Sequence, residues 1–164
     1  EGDLQARRNR PDASEVEYLS AGLAPSRQAH RARRYPMMRY PWDRTEAALR
    51  AMADHSHGVM PELDYVNPET GADVLPTMGF TAMMLAAGLK TTPPRRSCSS
   101  AFHVVAGRGR TTIDGQTVGW GPKDTFSAPV FASLSHEADE EAFLVRIHDR
   151  PLQEKLGYYE ERDT

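Results

Sequence analysis

"PPRRSCSSAFHVVAGRGRTTIDG", from Pro93 to Gly115, reads as two β-strands with a tight connection between them. In "SAFHVVAG" a run of aromatic and β-branched residues stops at Gly107 and Gly109. In "RTTIDGQTVGW" the pair Asp114-Gly115 stands between two alternating segments. Asp-Gly in that setting predicts a hairpin with a type I′ turn, which demands positive φ at both central residues. Because side chains alternate along a strand, Phe102 and Val104 share one face and His103 takes the other.

Toward the C-terminus, "GPKD" is a tight turn and "TFSAPVF" a strand, with Pro129 near its end, where a ladder hydrogen bond can be spared. "EEAFLVRIHD" predicts a last long strand, and "RPLQEKLGYYEER" a helix or coil started near Pro151. Toward the N-terminus, "GFTAMMLAAGL" reads as a strand ending at Gly88. Ahead of it Pro61, Pro68, Gly71 and Pro76 punctuate a short extended piece, Leu63–Val66, and a turn at "NPETG". "RYPWDRTEAALRAMADH" is the clearest helix, with Asp43 as its cap and Glu46 completing a capping box. Met52, Met78, Met83 and Met84 are expected to serve packing. Short strands at regular spacing with Gly, Pro and Asp turns predict an all-β antiparallel sandwich or barrel.

The chain has 164 residues, enough for one domain with a core plus a tail. Residues 1–34 are expected to be a solvated linker or arm. "RRNRP" and "RQAHRARR" carry little apolar content, although "EVEYLSAGL" could form a short helix. Asp3, Asp12, Glu15 and Glu17 interrupt the basic runs, and the formal net charge is −3. No nucleic-acid or anionic-membrane footprint follows. The longest apolar run, Phe80–Leu89, falls well short of the ~20 residues of a membrane helix. The polar opening "EGDLQARRNR" is no signal peptide. It lacks an initial Met, so a missing upstream segment is expected. The single cysteine, Cys98, can form no internal disulfide, which fits a reducing cytoplasm.

The block "GRGRTTIDGQTVGWGPKDTFSAPVF" resembles the cupin fold, a small jelly-roll barrel. Gly107 and Gly109 end its first motif strand, Gly121-Pro122-Lys123-Asp124 matches the turn before the second motif, and Pro129 matches that motif's proline. A narrower similarity is carried by "RYPWDRTEAAL", "YVNPETGADVLPTMGF", "FHVVAGRG", "DTFSAPVF" and "RIHDRPLQEKLGYYEE". From Tyr35 to Glu161 these resemble the C-terminal half of the gentisate 1,2-dioxygenase family, with its salicylate and 1-hydroxy-2-naphthoate relatives. The resemblance implies a cupin barrel over 35–164, with a preceding helix and a short C-terminal helix. It also implies a bicupin of two barrels in one chain, a homo-oligomer, and aromatic ring cleavage with Fe(II) and O2. In that family the iron sits on three histidines of the N-terminal barrel, so this chain is expected to begin in the linker between barrels.

The cupin pattern supplies its metal with His-x-His, a Glu on the same strand and a further His from the second motif. Counted from Phe102-His103-Val104-Val105, those places hold Pro94, Arg96 and Ser100, and in the second motif Leu134. None offers an imidazole or carboxylate, and a fixed positive charge at Arg96 repels a dication. No metal and no catalytic residue are therefore expected in this chain. The barrel-interior candidates are Arg96, Phe102 and His136. An inward Arg96 must be paired, with a carboxylate of this chain or with a bound anion.

Of the other histidines, His55 and His57 belong to a loop after the helix, His103 to an outer face, His30 to the arm, and His148 to a pair with Asp149. Cys98 has positive neighbours but no base beside it, and a buried structural role is expected. The run Asp139-Glu140-Glu141 reads as a solvated turn, and "GRGRTT" lacks the helix and Lys-Ser/Thr of a phosphate loop. The expectation is a structural, oligomerising barrel packed against a catalytic N-terminal barrel. The alternatives are a stand-alone metal-free cupin that binds a small carboxylate or dimerises, and an enzyme with a non-standard metal site around His136.

Overall fold

The computed structural model describes residues 39–55, 60–68 and 70–163. The expected arm over 1–34, with its short helix, lies outside the described residues. Helix α1 (Trp42–His55) is followed by strands β1 (Glu62–Asp64), β2 (Gly79–Leu85), β3 (Lys90–Thr91), β4 (Arg95–Arg96), β5 (Ser100–Ala106), β6 (Gly109–Ile113), β7 (Gln116–Trp120), β8 (Thr125–Ala128), β9 (Leu134–Ala138) and β10 (Ala142–His148). Helix α2 (Arg150–Leu156) and strand β11 (Glu161–Arg162) complete the chain.

A five-stranded sheet in the order β1-β2-β10-β5-β8 faces a four-stranded sheet in the order β3-β9-β6-β7, and β11 pairs with β4. Every pairing is antiparallel. Strand alternation sends Met83, Leu85, Phe102, Val104 and Leu144 from the large sheet into one buried cluster with Trp120, Leu134 and Ala138 of the small sheet. The opposite face of the large sheet buries Ala82, Met84 and Phe143 against Leu49 of α1. Leu49 is 0% exposed and Trp42 meets the Phe143 ring edge-on at 5.8 Å. Helix α1 therefore closes the back of the barrel wall.

The hairpin forms where Asp-Gly predicts it. Asp114 has φ 48° and Gly115 φ 85° between β6 and β7. Gly107 is required for a different reason: at φ 86° its missing Cβ also leaves room for Ala142, whose Cα would lie 2.5 Å away. A bulge at Val105 shifts the β5–β10 register between Phe143 and Leu144.

Several expectations need correction. Helix α1 starts at Trp42, so Asp43 sits in its first turn rather than capping it. Glu46 is engaged by the Trp42 indole N–H (3.0 Å) and by Arg50 (2.9 Å), not by a capping box. Strand β2 ends at Leu85, three residues before Gly88. Met83 and Met84 are core, but Met52 and Met78 are exposed. Strand β9 lies in "LSHEA", where the polar Ser135, His136 and Glu137 mask the alternation, and β11 forms in "YYEER". Pro151 does start α2, and Gly157 ends it in the left-handed region at φ 77°. None of the described helices is long and apolar enough to cross a membrane.

Candidate functional site

The site is the barrel interior near the open ends of β5 and β10. Strand β10 alternates so that Leu144, Arg146 and His148 point inward, opposite Phe102 of β5 and Thr81 of β2. From the small sheet, β9 brings His136 across to Phe102, with ring centroids 5.2 Å apart, and Phe102 stacks on Phe126 at 5.0 Å. Beside Phe102 and Arg146 lies a cavity of about 10 Å³. Pro94, Arg96, Ser100 and Leu134 line it, together with Cys98 and Arg146. The four places counted from the cupin pattern thus converge on one space. That space has room for about one water, against roughly 300–1,000 Å³ for a small-molecule pocket.

Arg146 dominates the interior. It is 3% exposed, and its Nη2 donates to Thr81 Oγ1 at 3.3 Å, while its Nε has no hydrogen-bond partner. The Thr81 hydroxyl donates its single proton to Asp64 Oδ1 (2.6 Å), so His148 Nε2, 3.1 Å away, must be the donor to Thr81 Oγ1. His148 Nδ1 is then a bare acceptor, and it too lacks a partner. Gly79 makes space for this ring, since a Cβ there would come within 2.9 Å of His148 Nδ1. The expected pairing of His148 with Asp149 does not form. The Asp149 carboxylate accepts from Ser99 Oγ (3.3 Å) and Gln153 Nε2 (3.1 Å) instead.

Arg96, at the rim, donates to Glu161 Oε1 on β11 at 3.0 Å, and Tyr159 donates its hydroxyl to the same oxygen. The β4–β11 strap is further held by Ser97, whose Oγ donates to Gln153 Oε1 (2.6 Å) and accepts the Glu160 amide (2.9 Å). Arg150 donates to Asp64 Oδ2 at 3.1 Å. Burial pushes the Asp64 carboxyl up, but the Thr81 hydroxyl and the Arg150 guanidinium outweigh it and hold it below the usual carboxylate range.

His136 is 1% exposed, and burial together with Arg146 and Arg96 pulls it from 6.5 to about 4. It is a neutral imidazole, with Nδ1 2.9 Å from Thr111 Oγ1, which also accepts the Trp120 indole N–H at 2.9 Å. His148 is likewise held near 4 by burial and by Arg146 and Arg150. Burial raises the Cys98 thiol above its ordinary value, so the nearby arginines do not activate it.

These residues do not fit a cupin iron. A barrel-bound Fe(II) needs several converging imidazole or carboxylate donors. Among the described residues no three of His, Cys, Asp and Glu are grouped to hold a metal ion. Among the described residues His136 is the single imidazole ring against Phe102, and burial together with two guanidinium groups lowers its affinity for a proton, while those groups would repel a dication. His55 is exposed on α1, its Nδ1 2.8 Å from the Ala51 carbonyl, and His57 lies outside the described residues. His103 faces away from Phe102 and meets Thr125 Oγ1 at 3.1 Å. Asp139 and Glu141 are spent on surface ion pairs with Arg110 (3.0 Å) and Arg50 (2.8 Å).

Sequence reasoning did not single out Arg146, Thr81 and Asp64. The available signal was parity: in "AFLVRIH" Arg146 shares the inward register of Leu144. An arginine on the apolar face of a long central strand is a buried charge by position alone.

The two facing antiparallel sheets, closed by the hairpin turns and backed by α1, make this chain a cupin jelly-roll barrel. No protein-family model matches it. A gentisate 1,2-dioxygenase of a Ralstonia sp. is 35% identical over 157 residues, covering 93% of this chain and 44% of the relative. A 5-aminosalicylate 1,2-dioxygenase of a Comamonas sp. is 35% identical over 133 residues, covering 78% of this chain and 36% of that one. The structure of a salicylate 1,2-dioxygenase from Pseudaminobacter salicylatoxidans superposes with a TM-score of 0.74 at 28% identity, over 91% of this chain and 45% of that chain. The chain belongs to the gentisate 1,2-dioxygenase family, and it spans less than half the length of these relatives.

Proposed function

We propose that this chain is the C-terminal cupin half of a gentisate 1,2-dioxygenase-like ring-cleaving enzyme, and that its own barrel is structural rather than catalytic. The observation that carries this reading is the barrel interior. Where the cupin pattern would gather metal donors, the space is lined by Pro94, Arg96, Ser100 and Leu134 and closed by Arg146. A fixed cation inside the barrel disfavours Fe(II), and a cavity of about 10 Å³ admits no benzoate ring. The length of the relatives leaves room for a second barrel in the same polypeptide. In this reading that upstream barrel is the partner, carries the iron on its own histidines, and acts on a ring bearing adjacent hydroxyl and carboxylate groups. The assembly is a cytoplasmic homo-oligomer, with the present barrel supporting the catalytic one.

The test compares the 164-residue chain with the complete reading frame that encodes it. Expected are no stoichiometric iron and no O2-dependent gentisate cleavage for the chain, and both for the longer product. One iron per chain of the 164-residue protein, lost on chelation, would overturn the structural role. Lack of ring cleavage by the longer product across gentisate, salicylate and 5-aminosalicylate would overturn the assignment of the enzyme.

A further inference from the structure

We propose that the free edge of β7 is an interface between two copies of this chain, paired antiparallel about a two-fold axis at Val118. This rests on the oligomeric reading above and names the surface that serves it. Strand β7 ends the small sheet and pairs with β6 alone. The two-residue turn makes Ile113 and Gln116 a hydrogen-bonded pair, and Val118 and Trp120 follow in the same phase along the ladder. Thr117 and Gly119 therefore turn their amides and carbonyls away from β6. Among the described residues no other segment hydrogen-bonds to these four groups.

The other sheet edges are blunted. Strand β1 carries Glu62 and Asp64, β3 is two residues long and carries Lys90, and β8 runs into Pro129. Gln116–Trp120 has no charge, no proline and no bulge, and four of its five residues are exposed. Val118 is 40% exposed although it shares the face of the buried Trp120. Pairing about Val118 sets Thr117 opposite Gly119 of the second copy and satisfies all four outward groups on each strand. An axis at Gly119 would need the Gly121 amide, which Asp124 Oδ2 already accepts at 2.9 Å. An axis at Thr117 would need Gly115, whose φ of 85° belongs to the turn. Val118 of each copy covers the other across a non-hydrogen-bonded pair, with Cβ atoms about 4.5–5.5 Å apart. No like charges meet within the strand pair. At each end Lys123 of one copy, with no ion pair among the described residues, stands at the same end as Asp114 of the other. The two four-stranded sheets become one continuous sheet.

Sedimentation equilibrium of the 164-residue chain tests this. Expected is twice the chain mass of 18.3 kDa. Gly119→Pro removes an outward N–H and no bond to β6, while Val118→Lys sets two cations against each other across the axis. Each should raise the dimer dissociation constant roughly tenfold or more and leave the far-ultraviolet circular dichroism unchanged. Val118→Cys should form a disulfide dimer under mild oxidation, and Met52→Cys, exposed on α1, should not. A monomeric chain, a dimer that both edge variants leave intact, or a Val118→Cys chain that does not crosslink each overturns the proposal. If the edge variants do not fold, the Val118→Cys crosslink decides. Exchange protection of the Thr117 and Gly119 amides in the longer product alone would mean that the upstream barrel covers this edge, and the proposal falls. None of these outcomes bears on iron binding or ring cleavage by the longer product, so the enzyme reading stands or falls separately.

Discussion

Acidification from pH 7 to pH 4 is expected to strip this barrel of stability through His136, before its carboxylates titrate. The folded state holds His136 near 4 because the ring is buried with Arg146 and Arg96 close by. The unfolded chain returns it to about 6.5. Between those values the unfolded state binds a proton that the folded state refuses. Stability from this group is therefore complete above about pH 6.5 and falls as pH drops toward 4. At about 1.4 kcal/mol per pKa unit, the displacement is worth on the order of 3 kcal/mol, a large share of a typical domain's 5–15 kcal/mol. His148 adds in the same window and with the same sign, by less, because its ring borders the open groove beside Met78. Asp64 and Glu161 are held below the usual carboxylate range, so their contribution is lost at lower pH. The assay is urea unfolding at steps from pH 7.5 to 4. His136→Asn, whose amide oxygen can still face Thr111, should remove the larger part of the slope between pH 6.5 and 4.5. A flat stability profile over that window, or an unchanged slope in His136→Asn, would refute the burial argument.

Gly109→Ala should destabilise by several kcal/mol or prevent folding, since the new Cβ would lie 2.6 Å from Trp120 Cη2 and against the Glu137 carbonyl. Gly119→Ala, with nothing within 4 Å, should change the midpoint of urea unfolding little. Leu49→Ala should cost about 2–5 kcal/mol by emptying the contact of α1 with the large sheet, read by urea unfolding and by faster amide exchange in Trp42–His55. Ser97→Ala removes the bonds to Gln153 and to the Glu160 amide, at about 1–3 kcal/mol, and should expose the β4–β11 strap to proteolysis near Tyr158. Cys98 should resist iodoacetamide at pH 8 in the native chain and react fully in urea, and rapid native alkylation would contradict its burial.

The strands that were legible are those where local chemistry and long-range packing agree. Asp114-Gly115 dictates its turn from two residues, and "SAFHVVAG" is apolar enough to be a strand in any context. Strand β9 was hidden because Ser135 and Glu137 occupy its outward positions, and the inward His136 is polar as well. Its register against β6, Ile113↔Leu134 through Gly109↔Ala138, and its pairing with β3 at Glu137 and His136 make it a strand. Strand β11 consists of two charged, exposed residues whose pairing exists because β4 offers an edge. The cap expected at Asp43 does not form because the helix already includes Trp42, and Glu46 is taken by the Trp42 indole and Arg50.

By itself the sequence determined an antiparallel all-β sandwich or barrel, the Asp-Gly hairpin and helix α1, while the jelly-roll class, the short C-terminal helix and the cupin metal positions entered through its resemblance to cupins. It could do so because turn chemistry, strand parity and motif counting are local, one-dimensional properties. Tertiary structure alone decided that Pro94, Arg96, Ser100 and Leu134 meet around Arg146, and that His136 is neutral. It also decided that Asp64 answers to Thr81 and Arg150 rather than to solvent. Charge and protonation in a barrel depend on which distant segments exclude water from one another, and antiparallel pairing across some 80 residues of chain sets that exclusion.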